Sequence, residues 1–133
     1  MKKPRVLNSF ALIAFLNRES GFEKVRALLR DAKASDEPLL MNEINIGEVY
    51  YLAAKERSLD KAEEFLRHLE TLPIRVLSNT YSQVLEAARI KAQFRISYAD
   101  AFAVATAQRE GAVIVTGDPE LRPVAHLVEI HWI

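Results

Sequence analysis

Asn8, Glu48, Asp100 and Asp118 are spread over the length of the chain, each at a junction between a strand pattern and a helix pattern or on a helix beside one. Brought to one cleft, carboxylates of this kind could hold one or two magnesium ions beside a phosphate, because magnesium is a hard cation that takes oxygen ligands and keeps several waters. Such an ion polarises a phosphoryl oxygen and lowers the pKa of a bound water, which is the chemistry of phosphodiester hydrolysis. The four are not equivalent. Three are acids, whereas Asn8 is a neutral carboxamide whose contribution to a metal would be a carbonyl oxygen.

Each residue also has a structural role that would need no chemistry. Asp118 in Thr-Gly-Asp-Pro-Glu is a good helix cap followed by proline at the first helical position. Asp100 follows Ser97 at capping-box spacing, with Asp in place of the usual Glu or Gln. The helix it opens, however, reads Ala-Phe-Ala-Val-Ala-Thr-Ala and is apolar nearly all round, as a buried helix is. A carboxylate at the mouth of that helix is partly desolvated and wants a cation or hydrogen-bond donors. Glu48 lies four residues after Ile44 and four before Leu52, which places it in an apolar row; burial of glutamate is rare without a partner. Glu43 falls on another face and reads as a first-turn acid that favours the helix dipole. Gly47 costs its helix about 1 kcal/mol relative to alanine, which suggests close approach of a backbone or ligand. Asn8 caps a helix as well as Asp does. The hydroxyls Ser9, Ser97 and Thr116 flank these residues as caps or as donors to water and metal. His68, His126 and His131 have no partner at ligand spacing, and no glycine-rich phosphate loop occurs.

The elements that must position these groups are legible from periodicity. Strands are expected at Arg5–Leu7, 38–41, Ile74–Leu77, 112–115 and 127–132. Between them run helices at 10–16, 22–34, 43–55, 58–72, 80–94 and 97–111. Alternating strands and helices imply βαβ units and a mainly parallel sheet of four or five strands between helical layers, a three-layer α/β/α domain spanning 1–133. In such sheets ligands bind beyond the carboxyl ends of strands, where the strand order reverses. Asn8 follows the first strand and Asp118 the fourth, so they share a cleft if those strands are neighbours. Half of the 133 residues are hydrophobic, enough for one domain with its own core. Cysteine is absent, which excludes disulfides and thiolate metal sites and fits a reducing cytoplasm. With 18 basic and 18 acidic residues, nucleic-acid binding would rest on a local patch, for which Arg18, Lys91 and Arg95 are the candidates beside a plain surface role. No run approaches the roughly 18 apolar residues of a membrane span. The basic start, Met-Lys-Lys-Pro-Arg, precedes an apolar run too short for an export signal.

Four stretches together resemble the PIN-domain family, and within it the VapC-type toxin ribonucleases: Val-Leu-Asn-Ser-Phe-Ala-Leu-Ile-Ala-Phe-Leu around Asn8, Ile-Asn-Ile-Gly-Glu-Val-Tyr-Tyr around Glu48, Ser-Tyr-Ala-Asp-Ala-Phe-Ala-Val-Ala-Thr-Ala around Asp100, and Val-Ile-Val-Thr-Gly-Asp-Pro-Glu-Leu around Asp118. The resemblance implies a metal-dependent endoribonuclease, using magnesium or alternatively manganese. It would leave a 5′-phosphate and a 3′-hydroxyl, form a homodimer and be held inactive by a cognate antitoxin. It makes Glu48, Asp100 and Asp118 catalytic metal ligands, with Thr116 as a supporting hydroxyl. Glu43 does not match the family's main acid position.

At the first position the family carries Asp and this chain carries Asn8. Removing one negative charge about 4 Å from a divalent ion forfeits roughly 8 kcal/mol of attraction at an effective dielectric near 20, before desolvation is counted. The expectation is a nuclease site with lowered activity. Its competitor is an inactive module of the same fold that binds an antitoxin or RNA. A phosphoacceptor signalling domain would require paired acids after the first strand and a lysine after the last core strand, and neither is present. Apolar surface on the helices between Phe22 and Leu72 is expected to serve a dimer partner or an antitoxin helix.

Overall fold

The computed structural model describes residues 2–133; Met1, the first residue of the basic start, lies outside them. Five short strands, β1 (Arg5–Leu7), β2 (Leu39–Asn42), β3 (Ile74–Leu77), β4 (Val113–Thr116) and β5 (Ile130–Trp132), form one sheet in the order β3-β2-β1-β4-β5. All four pairings are parallel. Six α-helices cover it: α1 (Ser9–Leu16), α2 (Phe22–Ser35), α3 (Glu43–Glu56), α4 (Leu59–Leu69), α5 (Tyr81–Gln93) and α6 (Tyr98–Glu110). A 3-10 helix, Pro119–Val124, joins β4 to β5. The fold is the expected α/β sandwich, and the sheet is fully parallel.

Two-residue alternation along the strands splits the interior into two cores. Val6, Leu40 and Ile114 point to one face, where they meet α5, α6 and the 3-10 helix through Ile90, Phe102, Val104 and Leu121. Leu7, Leu39, Met41 and Val115 point to the other, against Leu12, Val25, Leu29, Val49 and Phe65 of α1 to α4. Helix α6 is buried from Ala99 through Ala107, as its all-round apolar sequence requires. β3 departs from the two-sided burial expected of a parallel strand: it is an edge strand, and Arg75 and Val76 are exposed.

Boundaries shifted by a few residues. The last strand is Ile130–Trp132 because 125–128 form a turn after the 3-10 helix. The helix ends follow their caps: Asn8, Asn42, Ser58, Thr80 and Ser97 each accept a backbone N–H at a helix start, and Gly111 closes α6 at positive φ. No helix among the described residues is long and apolar enough to cross a membrane.

Candidate active site

The chain lays down β1, β2 and β3 in one direction and then returns to place β4 on the far side of β1, so the strand order reverses between β1 and β4. Leu7 pairs with Val115, and both strands end within a residue of that pair. Asn8 and Thr116 therefore leave the sheet side by side, at the switch point where α/β folds bind ligands.

Asn8 is buried and does two things at once. Its Oδ1 accepts the Ala11 N–H at 3.0 Å, capping α1, and its Nδ2 donates to Asp100 Oδ1 at 3.2 Å. The cap thus takes the amide oxygen and turns the nitrogen towards the site. The atom aimed at Asp100 is thus a donor, and any carbonyl contribution to a cation would have to come from the oxygen that also caps α1.

Asp100 is 6% exposed at the start of α6. Burial pushes its carboxyl above the ordinary carboxylate range; hydrogen bonds from Asn8 and Ser97 act the other way, and the negative charges of Asp118 and Glu48 add to the rise. Asp100 thus feels the charge of both other acids. Asp118 follows β4 and is partly exposed. Its own N–H donates to Thr116 Oγ1 at 3.1 Å, and its Oδ1 accepts the Glu120 N–H at 2.9 Å. The capping role foreseen for Asp118 is real, and it occupies one carboxylate oxygen.

Glu48 differs from its expected setting. The row Ile44–Glu48–Leu52 is not a buried face: Ile44 is 39% exposed, and Glu48 and Leu52 are half-buried. The core-facing residues of α3 are Asn45 and Val49, one step round the helix. Glu48 accordingly sits at the edge of the cleft. Gly47 has open space where a Cβ would be, so close approach does not account for it. Glu43 is engaged elsewhere, accepting the Asn79 N–H at 2.9 Å beside the Asn42–Asn79 amide pair.

The flanking hydroxyls brace rather than line the site. Thr116 is fully buried and holds the Asp118 backbone, while Ser9 Oγ donates to the Asn45 carbonyl at 3.3 Å. Arg18, at positive φ after α1, lays its guanidinium 5.1 Å above the Phe22 ring. Lys91 is exposed near the end of α5, and Arg95 is exposed in the turn five residues before Asp100. None of the three forms an ion pair with the acids.

Two residues went unnoticed in the sequence. Asn45, on the core-facing side of α3 beside Val49, is fully buried and hydrogen-bonded to both Ser9 and Ala99. Gly117 admits no side chain: a Cβ there would stand 2.6 Å from the Phe10 ring and 3.2 Å from the Ile133 carbonyl oxygen. A signal existed for both, since Asn45 is a polar residue at core spacing with Val49 and Gly117 directly precedes Asp118.

Among the described residues no group of three or more His, Asp or Glu side chains is arranged to hold a metal ion by itself. The donor chemistry nevertheless suits magnesium, which binds through one or two carboxylates and keeps its waters. Asp100 is a buried carboxyl with no Lys or Arg partner, and the charges of two more acids act on it.

A parallel α/β domain with Asn8, Asp100 and Asp118 gathered at the β1/β4 switch point defines the class. A sequence profile of the PIN domain matches residues 6–127, and the chain belongs to that family. Solved structures agree on the fold. The DNA-bound VapBC of Salmonella typhimurium is 14% identical over 98% of both chains, with a TM-score of 0.70. VapBC2 of Rickettsia felis, bound to a fragment of promoter DNA, is 12% identical over 97% of this chain and 98% of its own, with a TM-score of 0.72. VapC20 of Mycobacterium tuberculosis, a toxin that cleaves the sarcin–ricin loop, is 15% identical over 90% and 94%, with a TM-score of 0.71. No curated protein matches the sequence.

Proposed function

We propose that the cleft is the site of a magnesium-dependent endoribonuclease toxin, impaired in this chain by Asn8. The observation that carries the reading is Asp100: a buried carboxyl that feels the charge of two further acids and has no basic partner. Sites of fold maintenance do not need such an arrangement, whereas sites that take up a divalent cation do. Asp100, Asp118 and Glu48 would hold the ion, magnesium or manganese, with Asn8 in the position of a fourth ligand. Bound there, it would supply electrophilic stabilisation of the phosphate and an activated water. The chain's own part is to desolvate Asp100, to fix Asp118 through Thr116 and to leave Glu48 at the rim, within reach of a substrate. Structured RNA is the proposed substrate, supported by the likeness to the sarcin–ricin loop toxin.

A cytoplasmic homodimer under the control of an antitoxin completes the proposal. Between α1, α3 and α4 runs a groove of about 260 Å³ with an apolar floor of Leu16, Val49, Leu52 and Phe65 and a charged rim. It suits the apolar face of a partner helix, and several structural neighbours are VapBC assemblies. Exposed Ile44 and Tyr51 on α3 offer apolar area for a second subunit.

A second reading, an inactive module that binds an antitoxin or RNA, draws on the Asn8–Asp100 hydrogen bond, which lets the cleft persist without a cation. Cleavage of structured RNA in magnesium or manganese separates the two. The nuclease reading expects Asn8→Asp to cleave far faster than the parent and Asp100→Ala to abolish that gain. Equal, negligible cleavage by all three would leave the binding module as the function.

A further inference from the structure

Asn45 bonds to the two residues that stand next to Asn8 and Asp100. Its Nδ2 donates to Ser9 Oγ at 3.2 Å and to the Ala99 carbonyl at 3.1 Å, and its own carbonyl accepts from Ser9 Oγ at 3.3 Å. Ser9 is the first residue of α1 and Ala99 lies in the first turn of α6. Glu48 stands three residues beyond Asn45 on α3, on a neighbouring face of the same turn. One amide therefore ties together the starts of two helices and the helix that carries the third acid.

As a core residue Asn45 is a poor choice. It is completely buried, and its Oδ1 has no hydrogen-bond partner. Turning the amide over would not repair this, because two oxygens would then face each other at the Ala99 contact. An apolar side chain of the same size would bring in no unmet acceptor of its own. The residue is therefore explained by where its donors go.

We infer that Asn45 is a positioning residue that holds Asn8 and Asp100 in register with Glu48. The inference rests on the nuclease reading for its catalytic meaning, while its structural content stands apart from that reading. Asn45 touches no reacting group; it acts through Ser9 and Ala99. Tolerances at such sites are narrow, and a misplacement of about 1 Å can cost on the order of 100-fold in rate.

The test is Asn45→Leu, which fills the space without the donors, made both in the unsubstituted chain and with Asn8→Asp. Ser9→Ala is the second variant, removing the same hydrogen bond from the α1 side should the leucine not fold. In the Asn8→Asp background, kcat on structured RNA is expected to fall roughly 10- to 100-fold with KM little changed. Manganese binding, followed by the spectrum of the free ion, should weaken, and the melting temperature should hold or rise. In the unsubstituted chain, amide exchange should quicken at Ala11, Leu12 and Ala101 relative to the sheet. A fall in kcat that merely tracks a fall in melting temperature, or unchanged exchange at those amides, would overturn the inference. If Asn8→Asp neither cleaves nor binds manganese, the nuclease reading fails by itself, and the exchange measurement still decides whether Asn45 holds these elements together.

Discussion

Replacing Asn8 by Asp should make the metal-free protein less stable, and a bound divalent cation should restore what is lost. The amide donates to Asp100 Oδ1 at 3.2 Å, and an aspartate in the same rotamer would put a second carboxylate oxygen there. Two unit charges at that distance repel by about 5 kcal/mol at an effective dielectric near 20. The hydrogen bond to a charged acceptor, worth about 1.5–3 kcal/mol, is lost as well. Side-chain relaxation and uptake of a proton by the pair will relieve most of this, leaving a net loss on the order of 2 kcal/mol. For a domain of this size about 1 kcal/mol moves the melting temperature by roughly 3–5 °C, so a drop of about 6–10 °C in EDTA is expected. A divalent cation binding only the folded state at about 100 times its dissociation constant returns roughly 2.7 kcal/mol, enough to cancel the loss. The assay is thermal unfolding of both proteins in EDTA and across a magnesium or manganese titration. An Asn8→Asp protein that melts with the parent in EDTA and ignores both metals would refute the reasoning, since neither the repulsion nor the cation site would then exist.

Other consequences follow from the same contacts. Asp100 is held above the ordinary carboxylate range by burial, so it binds its proton more tightly folded than unfolded; stability should fall as pH rises from that range through the raised value and stay lowered above it. Asp100→Asn should remove that slope and raise the melting temperature at neutral pH without metal, and a lower melting temperature there would contradict the assignment. Gly117→Ala would drive a methyl into the Phe10 ring, costing about 1–3 kcal/mol as overpacking does, and Phe10→Ala in the same chain should recover much of it in denaturant titrations. Thr116→Val keeps the strand but removes the oxygen that accepts the Asp118 N–H, so amide exchange at Asp118 should quicken while β4 stays protected. Tyr51→Glu should shift a dimer towards monomer in light scattering, and no change in mass would remove Tyr51 from the interface.

Most of the fold could be read from the chain because its signals are local. Continuous apolar runs mark the strands, and the caps Asn8, Ser58, Thr80 and Ser97 mark helix starts within the chain itself. The all-round apolar α6 announced its burial. What failed was the inference from helical period to burial at Glu48. A spacing of four assigns Ile44, Glu48 and Leu52 to one face but does not say which face meets the core, and here the core takes the Asn45–Val49 face. The contribution of Asn45 was beyond local signals altogether: its partners are 36 and 54 residues away, in elements whose packing only the tertiary structure defines.

The same limit applies to Asn8. A sequence tells which residue stands at a position but not which of its atoms faces which neighbour. An aspartate at this position has two equivalent oxygens, one for the Ala11 N–H and one for the cleft. An asparagine has one oxygen, and the cap claims it because the Ala11 N–H can only donate. The nitrogen left over becomes a donor to Asp100 and holds that carboxyl as a cation would, though without charge to spare for a phosphate. The two residues are thus interchangeable as the cap of α1 and opposite for the site. Turning the amide round to present oxygen would strip α1 of its cap, at about 1 kcal/mol, and set that oxygen against Asp100. The local cap therefore dictates the polarity of the cleft.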